Sequence, residues 1–194
     1  MPKIVDHDQR RHEFVEAAWR LITRGGFDAA TMAAIAHEAG YANGAIKPYF
    51  ATKHDLVVAV FDHVYDRTTR RALGATTGRT GIDALREYCQ QIMPVTVDAL
   101  DEAHVVIPFW HHALTDPALI ARHEAALKTW RRDLRRHVAE ARADGRITSR
   151  IDDRRLVELV LTTLHGSQIT ATITPTTARQ LARQLDDLLA LITA

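Results

Sequence analysis

Residues 31–50 read TMAAIAHEAGYANGAIKPYF, and the spacing within this stretch decides the fold. Thr31 precedes MAAIAHEA as a hydroxyl able to cap a free amide in a helix's first turn. Gly40 ends that helix as a left-handed residue. Only Tyr41, Ala42 and Asn43 separate it from a second helical stretch, GAIKPYF at 44–50. A turn that short makes two helices cross steeply, which is helix-turn-helix geometry.

In such a unit the second helix lies in the DNA major groove and the first braces against the backbone. Gly44 and Ala45 are small enough for close approach, and Asn43 can cap the helix or reach a base or phosphate. Lys47 offers a phosphate or guanine contact, and Tyr49 a phenolic donor to phosphate. Free amides near Thr31 and Asn43 also favour phosphate oxygens. Pro48 limits the helix: it has no N–H and its ring clashes with the carbonyl four residues back, that of Gly44, at about 3 kcal/mol. The recognition helix is therefore expected to be short or kinked. Helical pairs joined at a glycine are also common in all-α proteins without a nucleic-acid partner, so the spacing alone leaves both readings open.

Working outward, Phe14, Val15, Ala17, Ala18, Leu21 and Ile22 paint one face of a helix from about residue 8 to 24, which Gly25-Gly26 ends. Thr52 caps a long helix from Lys53 into the early seventies. GATTGRTG at 74–81 reads as a loop. Beyond it, helical periodicity occupies roughly 82–93, 97–115, 117–144, 153–173 and 176–193, with Pro94, Pro117, Gly145 and Pro175 as punctuation. No segment alternates as a strand does, and no fixed-period repeat occurs. The reading is all-α, about nine helices, with an N-terminal three-helix unit over 1–52 and a helical unit over 53–194.

Composition narrows the function classes. The chain has 194 residues, 46% hydrophobic and 25% charged, enough for a core of ordinary depth and without a disordered tract. No apolar run approaches a membrane span, and MPKIVDHDQRRHEF lacks a signal peptide's apolar centre, so a cytoplasmic address is expected. The single cysteine, Cys89, excludes an internal disulfide. The net charge of +1 gives DNA binding no support. That case rests on where the cations sit: Arg10, Arg11, Lys47 and Lys53 flank or enter the motif.

These residues resemble the tetracycline-repressor-like (TetR) regulators. FVxAAxxLI at 14–22, GGF at 25–27, TMxxIAxEAG at 31–40, GAI at 44–46, YF at 49–50 and TKxDL at 52–56 fall in order without gaps. The resemblance implies that Thr31 and Met32 start the supporting helix, that Asn43 to Tyr49 form the recognition helix, and that Lys53 touches backbone phosphate. Tyr41, Ala42 and Lys47 depart from the usual small aliphatic, serine and aromatic.

DALREYCQQIMP (83–94), FWHHALTDPALIARHEAALKTWRRDL (109–134) and LHGSQITATI (164–173) resemble, more loosely, the BetI-type regulatory domain. This implies a homodimer paired through the last two helices, with a small-molecule effector held among the middle helices. Leu156, Val160, Leu161, Leu164, Leu181, Leu185, Leu188, Leu189 and Ile192 form the apolar stripes assigned to dimerisation, although such stripes also fit an intramolecular core. Phe109, Trp110 and His111, with Cys89, Met93, His104, His165 and Gln168 on neighbouring helices, are the effector-site candidates. Phe109 with Trp110 would suit a cation, worth about 0.5–2 kcal/mol per contact; aromatics at helical spacing are usually core.

Eleven histidines raise metal sensing, but His111 and His112 point to different faces and no H-x-x-x-H pair aligns with acidic partners, so neither a metal nor a cofactor is expected. The arginines at 131, 132, 135, 136 and 142 read as a solvated helix face. The resulting expectation is a homodimeric repressor that leaves double-stranded operator DNA when a small effector binds, with no membrane partner and no enzymatic activity. The alternative is a small all-α enzyme using His111, His112, His165 and Asp116 as acid-base groups, which lacks any accompanying nucleophile or phosphate-loop motif.

Overall fold

A computed structural model describes residues 6–193. They form eight α-helices: α1 His7–Gly25, α2 Met32–Glu38, α3 Lys53–Ala75, α4 Gly81–Ile92, α5 Val97–Ala113, α6 Pro117–Ala143, α7 Asp153–Ile173 and α8 Ala178–Thr193. Asp6 caps α1 by accepting from the amides of Asp8 and Gln9. Thr31 caps α2 by accepting from Ala34 N at 3.2 Å. Gly40 follows α2 at φ 80°, a conformation costly for any residue with a Cβ.

The ninth element expected, a recognition helix over 44–50, is instead a single 3₁₀ turn, Asn43–Ile46. Pro48 supplies the reason, because it has no amide to offer the Gly44 carbonyl. That carbonyl accepts from Lys47 N at 3.4 Å, three residues on, and the Ile46 carbonyl accepts from both Tyr49 and Phe50 N. Tyr41 braces the turn against α1: its hydroxyl donates to Glu13 Oε2, and its ring lies 5.2 Å from that of Phe14.

Three clusters of buried side chains hold the chain. The first packs Phe14, Ala18, Ile35, Ile46 and Phe50 against Leu56, Val60 and Val64 of α3 and Val105 of α5. The N-terminal core thus draws on side chains beyond residue 52. A small joint follows, in which Phe61 of α3 stacks on Phe109 of α5, centroids 3.7 Å apart, beside Ala113 and Leu119. The third and largest cluster unites α4, α6, α7 and α8 with Ala72 near the end of α3. At 23 residues, about 34 Å, α3 is the one helix that enters all three.

The stripes assigned to dimerisation require correction. Leu156, Val160, Leu161, Leu164, Leu181, Leu185, Leu189 and Ile192 lie inside the third cluster of a single chain, and Leu188 packs at its edge. Eight helices must bury their apolar faces somewhere, and α7 and α8 turn theirs onto α4 and α6. What α7 leaves outside is a second stripe at alternating three- and four-residue spacing, Leu159, Thr162, Gly166, Ile169 and Ile173, with Leu191 outside on α8.

Candidate nucleic-acid interface and effector cavity

The turn after α2 presents Asn43, Gly44, Lys47 and Pro48 to solvent, with Ala45 half-buried beside the buried anchor Ile46. Thr31 is exposed at the start of α2, and Met32 packs on the N-terminal core. Around this surface the other cations are held by aromatic rings. The Arg10 guanidinium lies 4.9 Å from the Tyr41 centroid, and that of Arg11 4.8 Å from Phe50. Tyr49 sits between His7, at 4.3 Å, and Phe14, at 5.4 Å. Lys53, at the start of α3, places its Nζ over the Phe27 ring and donates to the Phe27 carbonyl at 3.2 Å. Its long alkyl stem favours covering an apolar ring while the ammonium finds an acceptor.

A cavity opens between α3, α5, α6 and α7. Phe61, Val64, Tyr65 and Thr68 line it from α3, Glu102, Val106 and Trp110 from α5, His123, Leu127 and Trp130 from α6, and His165 and Gln168 from α7. The enclosed space is only about 20 Å³, little more than a water occupies. Outside it lies an apolar groove of about 400 Å³, which shares Trp110, His123 and His165 and adds Leu114, Ile120 and Ile169.

Four buried polar atoms on this lining lack a hydrogen-bond partner within the chain: Trp110 Nε1, His123 Nδ1, His165 Nε2 and Gln168 Oε1. Unsatisfied buried groups are rare, and four around one cavity mark it as a place where a ligand's polar groups would be matched. Gln168 is fixed by its amide, which donates to the Ile92 carbonyl at 3.2 Å. Burial pulls the His165 pKa down to about 4, assisted by the nearby His123, so the imidazole is neutral at ordinary pH. Burial lowers that of His123 as well. The one carboxylate, Glu102, accepts from Thr68 Oγ1 at 2.7 Å and from both Nη atoms of Arg71 at 2.6 and 2.7 Å.

Of the effector candidates, Trp110, His165 and Gln168 meet on this lining. The others do not. Cys89 and Met93 are fully buried in the third cluster, where burial pushes the Cys89 thiol up to about 12. Phe109 presses its face on Phe61 rather than forming a cage with Trp110. His111 is exposed, and His104 is half-buried outside the lining. The acid-base set of the enzyme alternative is dispersed: His112 lies against Phe27, and Asp116 caps α6 and faces His54. Of the α6 arginines read as a solvated face, Arg132, Arg135 and Arg136 are exposed, while Arg131 pairs with Glu124 and Glu158 and Arg142 with Asp153. Phe61, Tyr65, Glu102, His123 and Trp130 are lining residues that sequence reading missed.

Residues 14–60 match the family model described as bacterial regulatory proteins, tetR family. Residues 81–194 match the BetI-type transcriptional repressor C-terminal model. Among curated relatives, the transcriptional regulator PksA of Bacillus subtilis is 39% identical over 71 residues, 37% of this chain and 35% of that protein. The regulator BetI of Brucella anthropi is 36% identical over 110 residues, covering 57% and 55%. BetI of Burkholderia cenocepacia is 28% identical over 126 residues, covering 61% and 62%. The chain therefore aligns with about a third to three-fifths of the length of these relatives. Solved structures agree on the fold. A Rhodococcus transcriptional regulator superposes with a TM-score of 0.83 at 23% identity, covering 94% of this chain and 95% of that one. A Saccharomonospora viridis regulator crystallised with choline gives 0.79 at 19%, covering 94% and 96%. With one family model matching the helix-turn-helix segment and the other matching residues 81–194, more than half of the chain, the chain belongs to the TetR family of bacterial regulatory proteins, with a BetI-type C-terminal domain.

Proposed function

We propose that the protein is a homodimeric repressor that reads a palindromic operator with the turn at Asn43–Ile46 and Lys47, and releases it when a small molecule enters the cavity between α3 and α7. The observation that carries this reading is that α3 belongs to both parts. Its Leu56, Val60 and Val64 pack in the DNA-reading core, while Phe61, Val64, Tyr65 and Thr68 form one cavity wall. A molecule that enters from the adjoining groove past Trp110 and His165 and exceeds a water in size pushes that wall outward, and the reader moves with it. Couplings of about 1–3 kcal/mol would change operator affinity roughly 5- to 150-fold.

The cavity's chemistry favours an uncharged effector. Its aromatic walls alone would suit a cation, but Glu102 is already neutralised by Arg71 and both lining histidines resist protonation. A flat, largely apolar body carrying one or two hydrogen-bonding groups matches Trp110 Nε1, His165 Nε2 and Gln168 Oε1. The family match carries no support for the enzyme alternative.

Fluorescence anisotropy with DNA from upstream of the protein's own gene, at stated salt, tests the reading. Lys47→Ala should weaken binding while the dimer persists. Trp110→Ala should shift the response to an uncharged aromatic inducer more than it shifts DNA affinity. A wild-type dimer with no sequence preference on that DNA would overturn autoregulation, and equal loss of both properties in Trp110→Ala would make Trp110 a packing residue.

A further inference from the structure

Away from the cavity, α1 and α3 bring together three groups the repressor reading leaves unused. His12 and Glu16 lie four residues apart on one face of α1, and His63 faces them from α3. Among the described residues this is the one set of three potential ligand side chains whose donor atoms all fall within 4.8 Å of one another. Both imidazoles aim Nε2 at the same oxygen: Glu16 Oε1 is 3.7 Å from His12 and 2.9 Å from His63. The His63 approach is near enough for a hydrogen bond yet not aligned as one, leaving a buried Nε2 without a hydrogen-bond partner.

We propose that His12, Glu16 and His63 form a binding site for a divalent transition-metal ion of the zinc class, tying α1 to α3. Two imidazoles and a carboxylate are a ligand set that zinc accepts, with water in the remaining position. Around a tetrahedral ion with bonds of about 2.0–2.1 Å, neighbouring donors stand about 3.3 Å apart. The two distances to Glu16 Oε1 bracket that value, the two imidazole donors lie within 4.8 Å of each other, and His12, exposed on the outer side, is free to close the difference. The His63 side chain is 13% exposed and is held in place, its ring 5.9 Å from that of Trp19. Of the two arginines nearby, Arg67 stacks 4.1 Å from the Trp19 centroid and pairs with Asp98 at 2.9 Å, and Arg70 donates its Nε to the Asp66 carbonyl.

The ion would bridge the first helix of the DNA-reading core and the helix that enters the cavity wall, two elements whose relative position governs release on the repressor reading. The site itself does not depend on that reading. Metal-free, untagged full-length protein is titrated with Zn²⁺ against a chromophoric chelator and by calorimetry, alongside H12Q, E16Q and, as a control for adventitious binding, H111Q. The expected result is one tight Zn²⁺ per chain and a raised melting temperature in the wild type and H111Q, with affinity falling by more than about tenfold in H12Q and E16Q. His12 is exposed, so H12Q should fold as the wild type does, which circular dichroism verifies. Equal Zn²⁺ affinity and stoichiometry in H12Q, E16Q and the wild type, or no stoichiometric binding by the wild type, would overturn the site.

Discussion

His165 is placed where protonation and packing oppose each other. Its pKa is about 4 in the fold against an ordinary 6.5, so between these values the unfolded chain binds more protons than the folded one. Stability therefore rises with pH through this window and is lost as pH falls through it. The whole shift corresponds to roughly 3 kcal/mol. His165→Gln should flatten the dependence of the urea midpoint on pH between about 6.5 and 4; a slope identical to the wild type would contradict it. Some slope should remain, because burial lowers the pKa of His63, His123 and His137 in the same direction. At this scale the sequence disclosed chemical types better than orientations. Trp110 and His111 are neighbours in the chain, yet one meets the cavity and the other solvent, a difference of about 100° around the helix. Glu102 and His123 carried no local signal, since only the crossing of α5 and α6 with α3 brings them to one wall.

Local structure was the most legible, because its causes are local. The capping box that starts α3 involves Thr52 and Asp55 alone: Thr52 Oγ1 accepts from Asp55 N at 3.1 Å, and Asp55 Oδ2 from Thr52 N at 3.0 Å. Thr52→Ala should cost about 1 kcal/mol and speed amide exchange in the first turn of α3. Unchanged melting and exchange would show the cap to be redundant. The recognition segment shows how a single residue redirects an element. GAIKPYF has helical composition, but Pro48 removes the one amide that would complete an α-turn at Gly44, and a 3₁₀ turn results. The metal-site proposal rests on an element-level pattern too. A search for paired histidines on one helix passes over His12 and Glu16, because their third partner lies on α3, some fifty residues away.

Over the whole molecule, periodicity names a buried face without saying what buries it. The leucine stripes of α7 and α8 were read as a surface for a second copy and instead complete the chain's own core. For the proposed dimer, the face we assign to the partner is the outer stripe of α7, where Gly166 permits close helix approach and Ile173 is 75% exposed, together with Leu191 of α8 at 78%. Ile173→Glu should convert a dimer to folded monomer in sedimentation velocity. Leu161→Ala, within the core, should instead lower stability by about 2–5 kcal/mol. A dimer that survives Ile173→Glu would place the interface elsewhere.

The tightness of the cavity also bears on what such a sensor ignores. On the proposed reading, with room for scarcely more than a water between Phe61, Tyr65, Trp110 and Trp130, an effector that enters this cavity binds only to the fraction of molecules whose walls have parted. Its apparent affinity falls by that fraction at every concentration. A close-packed resting state is thus a noise filter. Abundant small molecules with weak complementarity leave the switch silent, and the concentration at which it responds is set as much by how firmly the aromatic walls pack on one another as by any contact the effector makes.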